Sequence, residues 1–445
     1  MITKLLNFRT KTITQGALLL VGSSLLSGAL GVLRDRLLAS GFGAGTQLDA
    51  YFAAFRVPDF LYNLLILGGV SAVFLPMFAE YMAKNKEEAW KFVNNLLHAT
   101  VLFIGFLALI AVFFAPLLAR LVAPGFGEEQ QELMVSLVRV MLLSPILFAV
   151  SSVFSGILQY FSRFLWYALA PVAYNLGIIG GIVFLAPSLG ILGVALGVVA
   201  GAALHIAIQV PALLLSGFSW KPLLQLRDAG IQKALRLALP RTVGGAAYHL
   251  NLVAMTAFAS LFPIGSLTAL NFADRFQQLP FNFLAIPFAI SAFPVLSRLF
   301  AQRKKEEFQK ELLQTLRKVG LLALPLAFLL FFFRDFWVNL VLRAGKFTEA
   351  DAELTASLLG MFAVGVIFQA FIPLLIRAFY ALQDTKTPTV VSIATVVFNI
   401  ALAFFLINRG GSILVLPLSL VLSGMLQSAL LLFLLQSKVV SSFKS

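Results

Sequence analysis

Cysteine is absent from the 445 residues, and histidine occurs only three times. The first absence excludes disulfides, thiol catalysis and cysteine-ligated metals together. The second leaves only His98, His205 and His249, scattered along the chain, a poor supply for a His-based metal or catalytic centre. Charge is scarce as well: Asp, Glu, Lys and Arg make up 12% of the chain, against about a quarter in a soluble domain. No phosphate loop, zinc spacing, nucleophile elbow or pair of catalytic carboxylates occurs, and Gly41-x-Gly43-x-Gly45 lacks the strand and Lys-Ser context of a nucleotide site. What is present is apolar. Hydrophobic residues reach 60%, phenylalanine alone occurs 44 times, and mean hydropathy is +0.95. A cytosolic enzyme, a disordered chain and a disulfide scaffold are all excluded. An integral membrane protein remains, with a formal net charge of +14 to be placed.

Crossing a bilayer core takes about 20 apolar helical residues, and about twelve such stretches can be read. They lie near 14–33, 48–79, 93–116, 133–160, 165–186 and 191–216, then 234–262, 267–297, 316–334, 354–380, 388–407 and 412–436. None shows the alternation of a barrel strand, so the class is all-α. Lys4, Arg9 and Lys11 before the first stretch resemble the start of a signal peptide, but no small-residue cleavage site follows, and it reads as a retained span. Lysine and arginine crowd the N-terminus, the C-terminus and every second loop, whereas only Arg120, Arg334, Arg343, Lys346 and Arg409 fall in the others. Both termini are therefore expected in the cytoplasm. Leu75-Pro76 followed by Lys86-Glu87-Glu88 recurs as Phe293-Pro294 followed by Lys305-Glu306-Glu307, about 220 residues on, as parallel repeats would. Two six-helix lobes follow, 1–222 (spans 1–6) and 223–445 (spans 7–12), related by a pseudo-twofold along the membrane normal. The basic stretch from Lys221 to Arg236 is their linker.

Charges inside a membrane are costly and default to functional candidates. Arg34, Asp35 and Arg36 end span one; Asp49, Arg56 and Asp59 surround Pro58 in span two; Asp274 and Arg275 precede Gln277 and Gln278 in span eight. At a spacing of about 220 residues Arg56 aligns with Asp274 and Val57 with Arg275, the layout of a polar cavity between lobes. Being adjacent, Asp274 and Arg275 point about 100° apart and are expected to find partners on other helices. Interfacial anchoring is the competing reading for Arg34 and Arg36, and snorkelling is the expected role of Arg139 and Arg241. Gly193, Gly197 and Gly201 mark close helix packing. No metal centre is expected; Asn251, Thr395 and Asn399 are the weak candidates for a cation site.

Several arginines in a membrane cavity call for an anion, and the guanidinium fork suits a diphosphate. A lipid-linked diphosphate keeps its tail in the bilayer while its headgroup crosses. An inside-negative potential favours that direction by about 2.3 kcal/mol per charge per 100 mV. The runs Gly31-Val32-Leu33-Arg34-Asp35-Arg36, Gly41-Phe42-Gly43-Ala44-Gly45, Asp49 to Pro58 and Ala273-Asp274-Arg275 resemble the MurJ/MviN lipid II flippases. That family belongs to the multidrug/oligosaccharidyl-lipid/polysaccharide exporter superfamily. The resemblance implies two six-helix lobes, alternating access and charged cavity residues at Arg34, Asp35, Asp49 and Arg275, with Asp274 beside the last.

It departs from the family at Gly28, at Tyr62, Asn63 and Leu67, and at Gln278, where charged residues are usual. The family also has fourteen spans, so the tail groove formed by the last two is not expected among these residues. The resulting expectation is a flippase, not an enzyme, moving a lipid-linked diphosphate glycan precursor, lipid II first among them, for peptidoglycan synthesis. Arg34, Asp35, Asp49, Arg56, Asp274 and Arg275 would bind the substrate. A bacterial inner-membrane monomer is expected, surrounded by lipid and without nucleic acid or a cofactor, coupled to the membrane potential or a monovalent cation. A cation-coupled exporter of drugs or small amphiphiles is the alternative; a non-transport scaffold for envelope synthesis is the second.

Overall fold

The computed structural model of the chain describes residues 13–67 and 70–443. Lys4, Arg9, Lys11 and Lys444 lie outside the described residues, as do the side chains of Leu67 and Arg241. All regular structure among the described residues is helical. The first half runs through α1 (Ile13–Phe42), α2 (Thr46–Leu67), α3 (Val70–Lys84), α4 (Lys86–Phe113), α5 (Ala115–Val122), α6 (Glu128–Met141), α7 (Leu143–Tyr160), α8 (Phe164–Gly180), α9 (Ile191–Ala207) and α10 (Val210–Leu214). The second half runs through α11 (Ala229–Ala259), α12 (Ser266–Pro280), α13 (Ile286–Ala301), α14 (Lys305–Phe332), α15 (Arg334–Leu342), α16 (Glu349–Ala381), α17 (Lys386–Asn408) and α18 (Val415–Ser442). Among the described residues, nine helices are long and apolar enough to cross a membrane. The other three expected spans fall on α2 with α3, on α11, and on α12 with α13. These are helical too, but the first carries Asp49, Arg56 and Asp59, and a π-helical turn at Phe281–Ala285 interrupts the last.

Local chemistry sets the ends of these helices. The Asn85 side chain accepts the Glu87 amide at 2.8 Å, and Glu87 and Glu88 favour the positive end of α4. Thr348 and Asp351 form a reciprocal capping box at the start of α16. The internal duplication also appears in the backbone. Left-handed conformations recur about 220 residues apart, at Gly43 and Gly265, at Ser162 and Gln383, and at Gly190 and Gly410. Both α4 and α14 have 28 residues.

Of the described residues, one compact unit takes those up to Phe42 and Thr46–His249; the other takes Gly43–Gly45 and those from Leu250 onward. In the first unit, α3, α4 and α7 enclose an aromatic core of Phe74, Phe78, Phe92 and Phe154. The Lys221-to-Arg236 stretch read as a linker is held to this unit by two buried amides. Asn94 takes the Lys221 amide and donates to the Ser219 carbonyl, and Asn95 does both with Gln225. Elsewhere in the unit, α8 and α9 meet at the expected glycines. Just past α8, a β-carbon on Gly181 would lie 2.5 Å from the Gly197 backbone, so no larger residue fits.

The second unit packs Phe308, Leu374, Phe379, Leu431 and Leu435 from α14, α16 and α18 into its core. Its Gly43–Gly45 turn lies so close that a β-carbon on Gly43 would meet the Lys346 carbonyl at 2.6 Å, and one on Gly265 the Ala44 carbonyl at 2.5 Å. The two units repeat one device with opposite charge. After left-handed Ser162, buried Arg163 donates to the Leu215 carbonyl; after left-handed Gln383, Asp384 pairs with Lys438 at 2.9 Å.

Candidate functional site

The first unit places Arg34 and Asp35 within an otherwise apolar α1. Adjacent residues on a helix diverge, yet the guanidinium folds back on its neighbour, with Nε and Nη2 donating to Asp35 Oδ1 at 3.1 and 3.0 Å. Its third contact is Nη1 to Asn175 Oδ1 on α8 at 3.0 Å. Asn175 is fixed in turn by donating to Ser27 Oγ at 3.0 Å and to the Pro171 carbonyl at 3.2 Å. The arginine is therefore held from two helices with its charge matched, a stronger hold than interfacial anchoring requires. Both side chains are largely enclosed, at 14% and 12% exposure. An ion pair so placed is costly to bury unless its remaining donors are satisfied, and Asn175 supplies that.

Asp49 is buried in the first turn of α2, and Arg56 and Asp59 are partly buried further along it. Asn63, one of the positions read as a departure from the family pattern, donates to the Asp59 carbonyl at 2.8 Å. Arg56 lies within electrostatic reach of His249. Arg139 is exposed, as a snorkelling residue would be.

The second unit holds Asp274 and Arg275 on α12, both partly buried. Asp274 corrects one expectation: its partners are on its own helix. Gln277 donates to Oδ1 at 2.9 Å and Gln278 to Oδ2 at 2.6 Å, because residues three and four on face the same side. The glutamines thus aim the carboxylate. Asn251 and Asn399 do meet, with Asn399 Nδ2 donating to Asn251 Oδ1 at 2.7 Å. Thr395 does not join them through its proton, which goes to the Val391 carbonyl at 2.9 Å. Buried Asn399 Oδ1 has no partner among the described residues, so this pair is a meagre donor set for a cation. No cluster of three or more His, Cys, Asp or Glu suited to a metal occurs among the described residues.

Asn175 is the functional side chain that the sequence reading missed. Its signal was present: a lone amide inside an apolar span incurs the same kind of cost as the intramembrane charges that were singled out. The glutamines after Asp274 were noticed, but their role depends on helical facing.

A multi-pass all-α membrane protein that holds Arg34 between Asp35 and Asn175, and Asp274 between two glutamines, is of the transporter class. Residues 38–445 match the family described as lipid II flippase MurJ, and the chain belongs to that family. It is 30% identical over 397 residues to a probable lipid II flippase MurJ of Buchnera aphidicola subsp. Acyrthosiphon pisum (strain APS), covering 86% of this chain and 76% of that one. To the lipid II flippase MurJ of Burkholderia cenocepacia it is 30% identical over 385 residues, covering 84% and 75%. Among solved structures it resembles a lipid II flippase MurJ in an inward closed conformation, with TM-score 0.82 and 25% identity over 96% of this chain and 90% of that one. An inward-facing multidrug resistance MATE transporter of the MOP superfamily shares the fold, with TM-score 0.75 and 15% identity over 94% and 96%.

Proposed function

We propose that this protein is an alternating-access flippase that carries lipid II, a lipid-linked diphosphate glycan precursor, from the cytoplasmic to the outer leaflet for peptidoglycan synthesis. Family membership supports the transport class. The observation that carries the substrate chemistry is the Arg34–Asp35–Asn175 cluster, an arginine held in place inside an apolar helix. A guanidinium so positioned binds diphosphate oxygens without first being ordered, and it does not deprotonate. Arg56 and Arg275 supply further positive charge, while Asp49 and Asp274 keep the sites from trapping the anion. The lipid tail stays in the bilayer throughout.

The protein works as a monomer in the bacterial inner membrane, with both termini in the cytoplasm as its lysine and arginine distribution favours. The membrane potential drives the anionic headgroup outward, so no nucleotide-hydrolysing domain is needed.

Complementation tests this reading. Expression in a bacterium depleted of its lipid II flippase is expected to restore growth. Arg34→Ala and Arg275→Ala are expected to abolish rescue at normal protein levels. A well-expressed wild type that fails to rescue would remove lipid II transport, and rescue by both variants would assign these arginines to structure.

A further inference from the structure

The first unit contains a row of rings outside its core. Tyr62 of α2 packs on Phe148 of α7, with centroids 4.7 Å apart and planes at 44°. Phe148 meets Tyr174 of α8 edge-on at 5.2 Å, and the His205 ring of α9 at 5.3 Å. Four helices thus contribute one ring each. The row differs from the unit's true core in accessibility: Phe74, Phe78 and Phe92 are 1%, 0% and 4% exposed, whereas all four of these rings are partly open.

The polar surroundings differ too. Tyr62 has Asp59 and Tyr167 as electrostatic neighbours, and Tyr174 has Arg34, Asp59 and Tyr51. Tyr174 immediately precedes Asn175, the residue that holds Arg34. The far end of the row is braced: Ser151 Oγ lies 2.6 Å from His205 Nδ1, and Gln209 donates to the same Ser151 oxygen at 2.6 Å.

We propose that Tyr62, Phe148 and Tyr174 form a carbohydrate-stacking platform that receives a sugar ring of the headgroup whose diphosphate Arg34 binds. This rests on the transport reading above and assigns the sugar a place within it. Aromatic faces are electron-rich and attract the electropositive C–H face of a pyranose, while hydroxyls at the ring edges exchange hydrogen bonds with its hydroxyl groups. Apolar rings with a few convergent polar groups are the general make-up of a small-molecule pocket. Tyr174 has Arg34 as an electrostatic neighbour and precedes Asn175, which holds it, so the rings lie on the Arg34 side, where the first sugar after a bound diphosphate is placed. The row is built on four packed helices, which hold its geometry before the ligand arrives.

The test is binding by the full-length protein in nanodiscs of two ligands, undecaprenyl diphosphate and lipid II. Phe148→Leu is expected to weaken lipid II binding about threefold to tenfold while leaving undecaprenyl diphosphate within about twofold. Phe148→Tyr, which keeps the ring, is expected to restore lipid II binding. Should Phe148→Leu lose its thermal transition, Tyr62→Leu makes the same comparison. Equal weakening of both ligands, or no change in either, overturns the platform while leaving the transport reading intact. A wild type that binds neither ligand overturns the transport reading and the platform with it.

Discussion

A single intramembrane charge is stable only in company, and here the company is specific. Removing Asp35 leaves Arg34 enclosed with half its partners, so Asp35→Ala is expected to cost about 3–5 kcal/mol and to lower the melting temperature in detergent. Asn175→Leu is expected to cost less, about 1–3 kcal/mol for the donor it orphans, yet still to reduce flippase rescue because the guanidinium is no longer aimed. A different group titrates outside the membrane. Burial works against ionisation of Asp384, but donation by the Thr387 amide, Lys438 and the Thr387 hydroxyl outweighs it and holds the carboxyl below its usual value. A depressed folded-state pKa stabilises above the unfolded value, and that contribution is lost as pH falls through the folded one. Melting temperature is therefore expected to drop below about pH 4, and Asp384→Asn to flatten that acid limb. An unchanged limb in the variant would show that other carboxylates set it.

Between helices, contact distance decides what each sequence position tolerates. Gly177 of α8, and Gly181 just after it, meet Gly201 and Gly197 of α9 at backbone contact, and Gly197→Leu is expected to destabilise by about 1–3 kcal/mol through overpacking. Thermal melts of the purified protein measure this, with Gly180→Ala as a control, since nothing lies within 4 Å of a β-carbon there. The glycine spacing on α9 was legible because small residues every fourth position have one common use in membranes, whereas the glycines they meet, Gly177 and Gly181, were not singled out. The Asn94 and Asn95 clamps were not legible. An asparagine that mimics a strand partner for a loop more than a hundred residues away leaves no periodic trace. The same holds for Arg163, which counted as an ordinary cytoplasmic basic residue in sequence and is 1% exposed in the fold.

Over the whole chain, the internal duplication appears twice, as matched sequence blocks and as matched left-handed turns. The turns are the firmer record, since Ser162 and Gln383 share a backbone conformation without sharing a side chain. Topology can be measured directly, because a chain without cysteine accepts single reporters without background. Glu128→Cys and Ser412→Cys, both exposed, are expected to react with an impermeant maleimide in intact spheroplasts. Asn85→Cys and Gln302→Cys are expected to react only after permeabilisation. The reverse pattern would invert the assignment drawn from lysine and arginine.

Composition and order alone determined that this protein lies in a membrane, that it is all-helical, and where its costly charges occur along the chain. These follow from the sequence because bilayer partitioning depends on local hydropathy summed over some twenty residues, whatever the rest of the chain does. Which groups satisfy those charges was decided only in three dimensions. Asp274 turned to its own helix, Arg34 to Asn175 across 141 residues, and four rings from four helices came into one row. Hydrogen bonds and ring contacts depend on distances of a few ångströms between residues remote in sequence, and no local pattern encodes those distances.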